Sequence, residues 1–232
     1  MHTHKHIKRR LCRTLTFLVL STSLTFSINS ETLTTASQTK LHILNVEAFK
    51  LEDWEEIQFN GLTHYAVNDK QKPYSLKAES KHSASGLVLK KKVDLTKTPY
   101  INWHWRLEKG LPELPETTKH GDDYAARVYL IYSGGWLFWK TKALNYVWSS
   151  RLVKGQSWPN AYAPDNAQMI AVRDNSDKAG VWYSEKRHVQ RDFESWLGEE
   201  VSQIEGVAIM TDTDDSRSRS VFHYGDIYFS EK

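Results

Sequence analysis

The chain has 232 residues, and its 31 Lys and Arg against 28 Asp and Glu give a formal net charge of +3. Five of the basic residues and none of the acidic ones lie in the first 29 residues, so the remainder carries a small negative charge. This balance argues against a nucleic-acid-binding protein, because neutralising phosphates requires a basic surface. The single cysteine, Cys12, also lies in that first segment, which excludes disulfides and thiolate metal sites from the remainder.

Residues 1–29 have the pattern of a secretory signal peptide. A basic start is followed by an apolar run over residues 15–28 that is short for a bilayer span. We therefore expect cleavage and a periplasmic or secreted protein without a transmembrane segment, and an uncleaved N-terminal anchor is the alternative. A flexible lead-in rich in Ser and Thr is expected over residues 30–45, followed by one β-sandwich domain over residues 46–232.

Short strand-like segments follow one another through this domain, separated by turn signals such as Asn60-Gly61. The predicted strands are Trp54–Phe59, Leu62–Asn68, Tyr74–Glu79, Gly86–Leu95, Tyr100–Glu108, Ala125–Tyr132, Leu137–Trp148, Met169–Arg173, Val181–Val189, Gly206–Thr211 and Val221–Ser230. Only Val189–Gly198 has apolar residues at helical spacing. This pattern predicts an all-β fold, an antiparallel β-sandwich that is jelly-roll-like, with one short helix near 189–198.

Within the strand Tyr100–Glu108, large apolar residues alternate strictly with polar ones. Such alternation is typical of a strand that buries one face and exposes the other. Trp103 and Trp105 share the apolar face, and we expect them to belong to the core. The opposite face, which carries Asn102, His104 and Arg106, is then a candidate ligand-binding surface.

The following strand places Asp123 and Arg127 on one face. We expect Arg106 and Arg127 to lie on neighbouring strands, where a concave face would require a carboxylate partner for each guanidinium. A buried charge without a partner costs several kcal/mol. Asp122, Asp123 and Glu185 are the candidate partners.

The irregular segment 157–162 contains Trp158, Asn160 and Tyr162. Exposed aromatic side chains above a sandwich can stack on the C–H faces of sugar rings, whereas buried ones would only close the end of the sandwich. Both alternatives stay open at this point. The candidate ligand-binding residues are Asn102, His104, Arg106, Asp123, Arg127, Trp158, Asn160, Tyr162, Arg173 and Glu185.

No residue is assigned a catalytic role. Asp122 and Asp123 are adjacent and would point to opposite faces of a strand, so they cannot flank one glycosidic bond together. A catalytic pair would need a carboxylate from another strand, such as Asp212, Asp214 or Glu185.

No cofactor and no metal site are expected, since the histidines lack the spacing of a zinc site. The acidic loop 211–216 resembles the beginning of a calcium loop but lacks the Gly and the closing Glu of an EF-hand. A structural calcium ion near Asp212 and Asp214 is therefore an alternative to a solvated turn.

Seven strings of the sequence carry a resemblance to a known family. They are YINWHWRLEKGLP, KHGDDYAARVYLIY, LFWKTKALNYVWSS, WPNAYAPDNAQMIAVR, EKRHVQRDFESWLGEE, IEGVAIMTDTDDS and YGDIYFS. From about Phe49 to Phe229, the chain resembles the secreted bacterial family catalogued as domain of unknown function 3047. The resemblance implies an exported single-domain protein, typically of Gram-negative bacteria, with no assigned activity and no catalytic residues to carry over.

The predicted function is recognition of a glycan or another polyhydroxylated ligand on an aromatic and charged sheet face. Apolar stacking would supply affinity, and Arg, Asn and Asp side chains would orient the hydroxyl groups. Two alternatives are an enzyme that acts on polysaccharide with carboxylates from different strands, and a non-catalytic structural protein of the envelope. The sequence makes no prediction of the oligomeric state.

Overall fold

The computed structural model describes residues 40–70, 72–132 and 141–232. The predicted signal peptide, the first part of the lead-in and the beginning of the predicted strand Leu137–Trp148 lie outside these residues. Within the described part of the chain, no helix has the length and apolar character needed to cross a membrane.

The described residues form two large β-sheets, a separate two-stranded pair and one α-helix. The strands are β1 (Lys40–Leu44), β2 (Glu55–Asn60), β3 (His64–Asn68), β4 (Ser75–Lys81), β5 (Ala84–Leu89), β6 (Val93–Asp94), β7 (Tyr100–Lys109), β8 (Arg127–Tyr132), β9 (Lys142–Trp148), β10 (Ser157–Pro159), β11 (Ala167–Arg173), β12 (Tyr183–His188), β13 (Gln203–Ile204), β14 (Gly206–Asp212) and β15 (Arg219–Ser230). The helix α1 (Val189–Leu197) ends where Gly198 adopts a left-handed conformation with φ of 65°. The predicted all-β fold with one short helix is confirmed.

One sheet has six strands in the order β12-β7-β15-β4-β3, with β1 also paired to β15, and all of its pairs are antiparallel. The other has seven strands in the order β10-β11-β9-β8-β14-β5-β2. Its one parallel pair, β9 with β11, departs from the all-antiparallel prediction. Parallel neighbours need a long crossover, and the chain between them, which includes β10, provides it.

The two large sheets pack face to face around an aromatic core, which makes the protein a β-sandwich. Trp103 and Trp105 of β7 point into the interior. Trp103 stacks on Tyr146 of β9 with 5.2 Å between ring centroids, and Trp105 meets Trp148 edge-on at 5.8 Å. The prediction that both tryptophans belong to the core is confirmed, and their contacts join one sheet to the other.

Three short strands are absent from the sequence prediction. Residues 40–44, which the sequence places in the lead-in, form β1 and pair with the end of β15. β10 and β13 have three and two residues, too few for a pattern of alternation to appear. In the opposite direction, residues 125 and 126 were predicted as strand but precede β8, which begins at Arg127.

Candidate functional site

A cavity of about 430 Å³ lies on the outer face of the seven-stranded sheet, the face that points away from the sandwich core. Successive side chains of a strand point to opposite faces. Val128, Leu144 and Ile209 therefore enter the core, while their neighbours along the same strands line the cavity. The strands contribute Ala84, Arg127, Tyr129, Asn145, Ala167 and Met210 to its wall. We call this space the sheet cavity.

A buried ion-pair cluster forms part of the cavity wall. The Arg127 guanidinium donates from Nε to Asp212 Oδ1 over 3.1 Å and makes a second, shorter bond from Nη2 to Asp212 Oδ2. It also donates to the backbone carbonyl of Asp122 and lies 3.5 Å from the carboxylate of the same residue. Asp212 accepts a further bond from the backbone N–H of Tyr124 over 3.1 Å. Such pairing and hydrogen bonding are what a buried charge requires.

Burial and charge pairing act in opposite directions on the pKa values of this cluster. Burial lowers the pKa of Arg127, but the neighbouring carboxylates, Asp212 foremost, more than offset this effect and hold it well above its ordinary value. Burial raises the pKa of Asp212 to about 8, and Arg127 opposes that rise. Because three N–H groups point at the oxygens of Asp212, the geometry supports an ionised carboxylate.

Asn145 of β9 provides an unpaired polar group at the cavity. Its side chain is 0% exposed, and its Nδ2 donates to the carbonyl of Gln168 over 3.3 Å. Its Oδ1 is buried and has no hydrogen-bond partner among the described residues. An unsatisfied buried acceptor costs about 1–3 kcal/mol. Since Asn145 lines the sheet cavity, a hydrogen-bond donor held there would supply the missing partner.

Two exposed aromatic side chains also line the cavity, Phe59 from β2 and Tyr162 from the loop after β10. Phe59 is 69% exposed and Tyr162 is 55% exposed, which is unusual for large aromatic residues of a folded domain. Tyr162 Oη donates to the two carboxylate oxygens of Asp215 over 2.9 and 3.1 Å. The rim is therefore aromatic, and one of its rings is held in place by a carboxylate.

An acidic cluster adjoins the same rim. The carboxylates of Asp123, Asp214 and Asp215 each offer an oxygen, and these oxygens lie within 4.8 Å of one another. Such oxygens suit calcium, but the Asp123 carboxylate already accepts the backbone N–H groups of Asp215 and Ser216 over 3.2 and 2.6 Å. Asp212 does not belong to this cluster, because it is paired with Arg127. The expectation of no metal, with a calcium ion near Asp212 and Asp214 as its alternative, stays a prediction.

Three of the ten predicted ligand-binding residues meet at the sheet cavity, namely Arg127, Asn160 and Tyr162. Asn160 donates from Nδ2 to both carboxylate oxygens of Asp122 over 3.0 and 3.1 Å, so it positions that carboxylate. Asp123 lies in the acidic cluster beside the rim.

Trp158 does not line the cavity. It is 5% exposed, its ring stacks on Tyr124 with 6.3 Å between centroids, and its Nε1 donates to Tyr124 Oη over 3.2 Å. Of the two alternatives for the aromatic loop, the buried one is right for Trp158 and the exposed one for Tyr162. The reason is the short strand β10, which pairs with β11 and places Trp158 beside Met169.

The expected meeting of Arg106 and Arg127 on neighbouring strands is wrong. Arg106 lies on β7 of the six-stranded sheet, whereas Arg127 lies on β8 of the seven-stranded sheet. On the outer face of its own sheet, the Arg106 guanidinium lies 5.5 Å from the centroid of the Trp182 ring. His104 contacts the same ring at 5.2 Å, and Asn102 donates to Ser230 Oγ over 2.9 Å.

Arg173 and Glu185 also lie away from the sheet cavity and form an ion pair with each other. Arg173 Nε lies 2.5 Å from Glu185 Oε1, which also accepts from Trp105 Nε1 over 3.1 Å. Glu185 thus faces the interior of the sandwich instead of meeting Arg106 or Arg127. The pair ties β12 to β11, strands of opposite sheets.

Among the cavity residues that the sequence-based set lacks are Phe59, Tyr129, Asn145 and Met210. For Asn145 a signal existed, because it interrupts the apolar run of β9 on the face opposite Tyr146 and Trp148. For Tyr129 the sequence also held a signal, because alternation places it on the same strand face as Arg127. For Phe59 and Met210 the sequence offers only ordinary strand residues. Their common location depends on which strands are neighbours.

A chain of hydrogen bonds on the six-stranded sheet has the connectivity of a hydrolase triad. Ser75 Oγ lies 2.9 Å from His223 Nδ1, and His223 Nε2 lies 2.6 Å from Glu108 Oε2. The burial is the reverse of what catalysis needs, since Ser75 is 0% exposed while the Glu108 side chain is 51% exposed. A nucleophile must reach its substrate. This chain of bonds is therefore structural.

Comparison with known proteins identifies a family and several solved structures that are distantly similar to this chain. A family model described as "Protein of unknown function (DUF3047)" matches residues 52–228. No curated protein matches the chain. Among solved structures, a low-affinity xylan-binding module, CBM86, of Roseburia intestinalis is 8% identical with a TM-score of 0.32, over 83% of this chain and 94% of that one. The xyloglucanase domain of NopAA from Sinorhizobium fredii is 11% identical with a TM-score of 0.40, over 76% and 92%. An exo-β-agarase is 11% identical with a TM-score of 0.31, over 74% and 22%.

Proposed function

The chain belongs to the DUF3047 family, whose function is unknown, and we propose that its sheet cavity binds a glycan or a similar polyhydroxylated ligand. The observation that carries the proposal is the buried, unpaired Oδ1 of Asn145 in the cavity wall. A sugar hydroxyl is a donor that would satisfy this acceptor. The cavity volume of about 430 Å³ lies within the range of about 300–1,000 Å³ that small-molecule sites occupy.

The aromatic rim and the polar wall of the sheet cavity would contact different parts of the ligand. Phe59 and Tyr162 offer apolar ring faces, on which the C–H face of a pyranose can stack. Asn145 and Tyr129 place polar groups deeper in the cavity. A few polar groups inside an otherwise apolar pocket fix the orientation of a ligand and so its specificity.

The state of two of the four cavity carboxylates, Asp122 and Asp212, favours binding over hydrolysis at that pair. A glycosidase needs one protonated carboxyl and one carboxylate on either side of the scissile bond. Here Asp122 accepts from Asn160 and contacts Arg127, while Asp212 accepts from Arg127 and Tyr124. Both carboxylates therefore already serve as partners of protein donors.

The proposal is tested by titrating the purified protein with glycans chosen from an array. Tyr162→Ala and Phe59→Ala should each weaken binding by about two- to tenfold, since aromatic contacts contribute roughly 0.5–1.5 kcal/mol. Trp196→Ala removes an exposed aromatic ring of α1 that does not line the cavity, and it should leave binding unchanged.

Failure of the folded protein to bind any envelope or plant glycan would refute the proposal, and so would an unchanged affinity of Tyr162→Ala. Release of reducing ends from a polysaccharide would instead support the enzyme alternative. Export, predicted from residues 1–29, is part of the same proposal. Fractionation of cells that produce the full chain tests it.

A further inference from the structure

The charges around the sheet cavity are predominantly negative. Within the described ranges 40–70, 72–132 and 141–232, four carboxylates line it, those of Asp122, Asp212, Asp214 and Asp215, against the one guanidinium of Arg127. Asp123 adds a fifth carboxylate through the acidic cluster. One further cation stands near the rim, since Lys119 Nζ lies 5.2 Å from the centroid of the Tyr162 ring. Counting both cations still leaves an excess of negative charge.

The excess negative charge of the sheet cavity is located at Asp214 and Asp215. Arg127 is committed to Asp212 and Asp122. Asp214 accepts from the neutral amide of Asn60 over 3.2 Å, and Asp215 accepts from the neutral hydroxyl of Tyr162. Neither has an ion-pair partner among the described residues. Burial, with added repulsion from neighbouring carboxylates, raises the pKa of Asp215.

A separate observation is that one acceptor in the cavity wall, Oδ1 of Asn145, has no hydrogen-bond donor among the described residues. The Asn145 acceptor is fully buried and unpaired, and it is independent of the acidic cluster because it lies on β9, in the sheet itself. An occupant that satisfies both features must donate hydrogen bonds and must not carry negative charge. Glycans rich in uronic acids or phosphates fail the second requirement, since like charges in a partly buried site repel.

We propose that the ligand carries a protonated amine and belongs to the class of amino sugars whose nitrogen is not acetylated. This inference rests on the proposed function, because it assigns the kind of glycan that the same cavity takes. The ammonium group would lie against Asp214 and Asp215, while the sugar ring stacks on Phe59 or Tyr162. A cation beside an aromatic ring gains additional attraction from the ring face.

The experiment compares three oligosaccharides of equal length by calorimetry on the full protein. They are β-1,4-linked oligomers of glucosamine, of N-acetylglucosamine and of glucose. We expect the glucosamine oligomer to bind about tenfold or more tightly than the other two, with an affinity that falls as salt is added. The double variant Asp214→Asn with Asp215→Asn should remove this preference. Glu194→Gln, which neutralises an exposed carboxylate of α1, is the matched control.

Each outcome decides a separate question. Equal affinity for all three oligomers, unchanged in the double variant, overturns the amine inference and keeps glycan binding. Absence of binding by any of these oligomers, and by the array, refutes the proposed function itself. Binding that chelation abolishes and calcium restores would place a metal ion at Asp123, Asp214 and Asp215, and this also overturns the amine inference.

Discussion

The unpaired carbonyl of Asn145 predicts that replacing this polar residue by leucine stabilises the protein while it abolishes ligand binding. The two side chains have the same number of heavy atoms and the same branching, and the larger methyl groups of Asn145→Leu would extend into the sheet cavity that this residue lines. Removing an unsatisfied buried acceptor recovers about 1–3 kcal/mol, and the loss of the 3.3 Å bond from Nδ2 to Gln168 costs about 0.5–1.5 kcal/mol. The expected net effect lies between a loss of about 0.5 kcal/mol and a gain of about 2.5 kcal/mol, with a gain of about 1 kcal/mol at the centre of the range.

Urea unfolding of the two proteins, followed by tryptophan fluorescence, measures this difference. For a domain of this size, a gain of 1 kcal/mol raises Tm by about 2–4 °C. Asn102→Leu is a suitable control, because the Asn102 amide donates to Ser230 and Tyr100, and its loss should cost about 1 kcal/mol. A destabilisation of Asn145→Leu by more than about 0.5 kcal/mol would refute the reasoning, and unchanged glycan affinity would remove Asn145 from the site.

Three further predictions concern the surroundings of the site. Trp158→Ala should lower the free energy of unfolding by about 3–5 kcal/mol, because the ring is buried against Tyr124. Arg127→Met should cost about 3–5 kcal/mol, because it leaves Asp212 buried without its cation. Burial lowers the pKa of His223, although Glu108 opposes this effect, so the folded state holds a neutral imidazole. The contribution of His223 to the free energy of unfolding is then fully present above the unfolded pKa of about 6.5, and it is lost as the pH falls below that value.

Chemical denaturation measures the first two effects, and denaturation at a series of pH values between 7 and 5 measures the third. A loss below about 1 kcal/mol for Trp158→Ala would mean that the ring is not part of the packed interior. Arg127→Met with Asp212→Asn should recover stability relative to Arg127→Met alone, and the absence of recovery would contradict the ion-pair argument. His223→Gln should flatten the pH dependence, and an unchanged slope would assign it to other groups.

Local alternation was sufficient to predict which side chains of β7 enter the core, because the direction of a side chain depends only on its position along the strand. The partners of a strand depend on the whole chain. β7 and β8 follow each other in sequence, but residues 110–126 carry the chain from one sheet to the other. No local signal marks this crossing, and for that reason Arg106 and Arg127 were wrongly expected to be neighbours.

The sequence predicted only part of the candidate site, again because the neighbours of a strand depend on the whole chain. Arg127, Asn160 and Tyr162 were found by their chemical type, whereas Phe59 and Met210 become site residues only through the order of strands in the sheet. Trp158 was misplaced because β10 has only three residues, including Pro159, and lies at the edge of the sheet. A strand this short gives no periodic signal that separates it from a loop.

The position of β15 sets the order in which the protein can fold. This strand is the last in the chain, yet it pairs with β7 along one edge and with β4 and β1 along the other. Until residues 219–230 are available, β12-β7 and β4-β3 remain separate pairs. Trp105 then lacks its edge-on contact with Phe222 of β15 during synthesis, which proceeds at about 5–20 residues per second. Closure of the six-stranded sheet therefore waits until residues 219–230 have been synthesised.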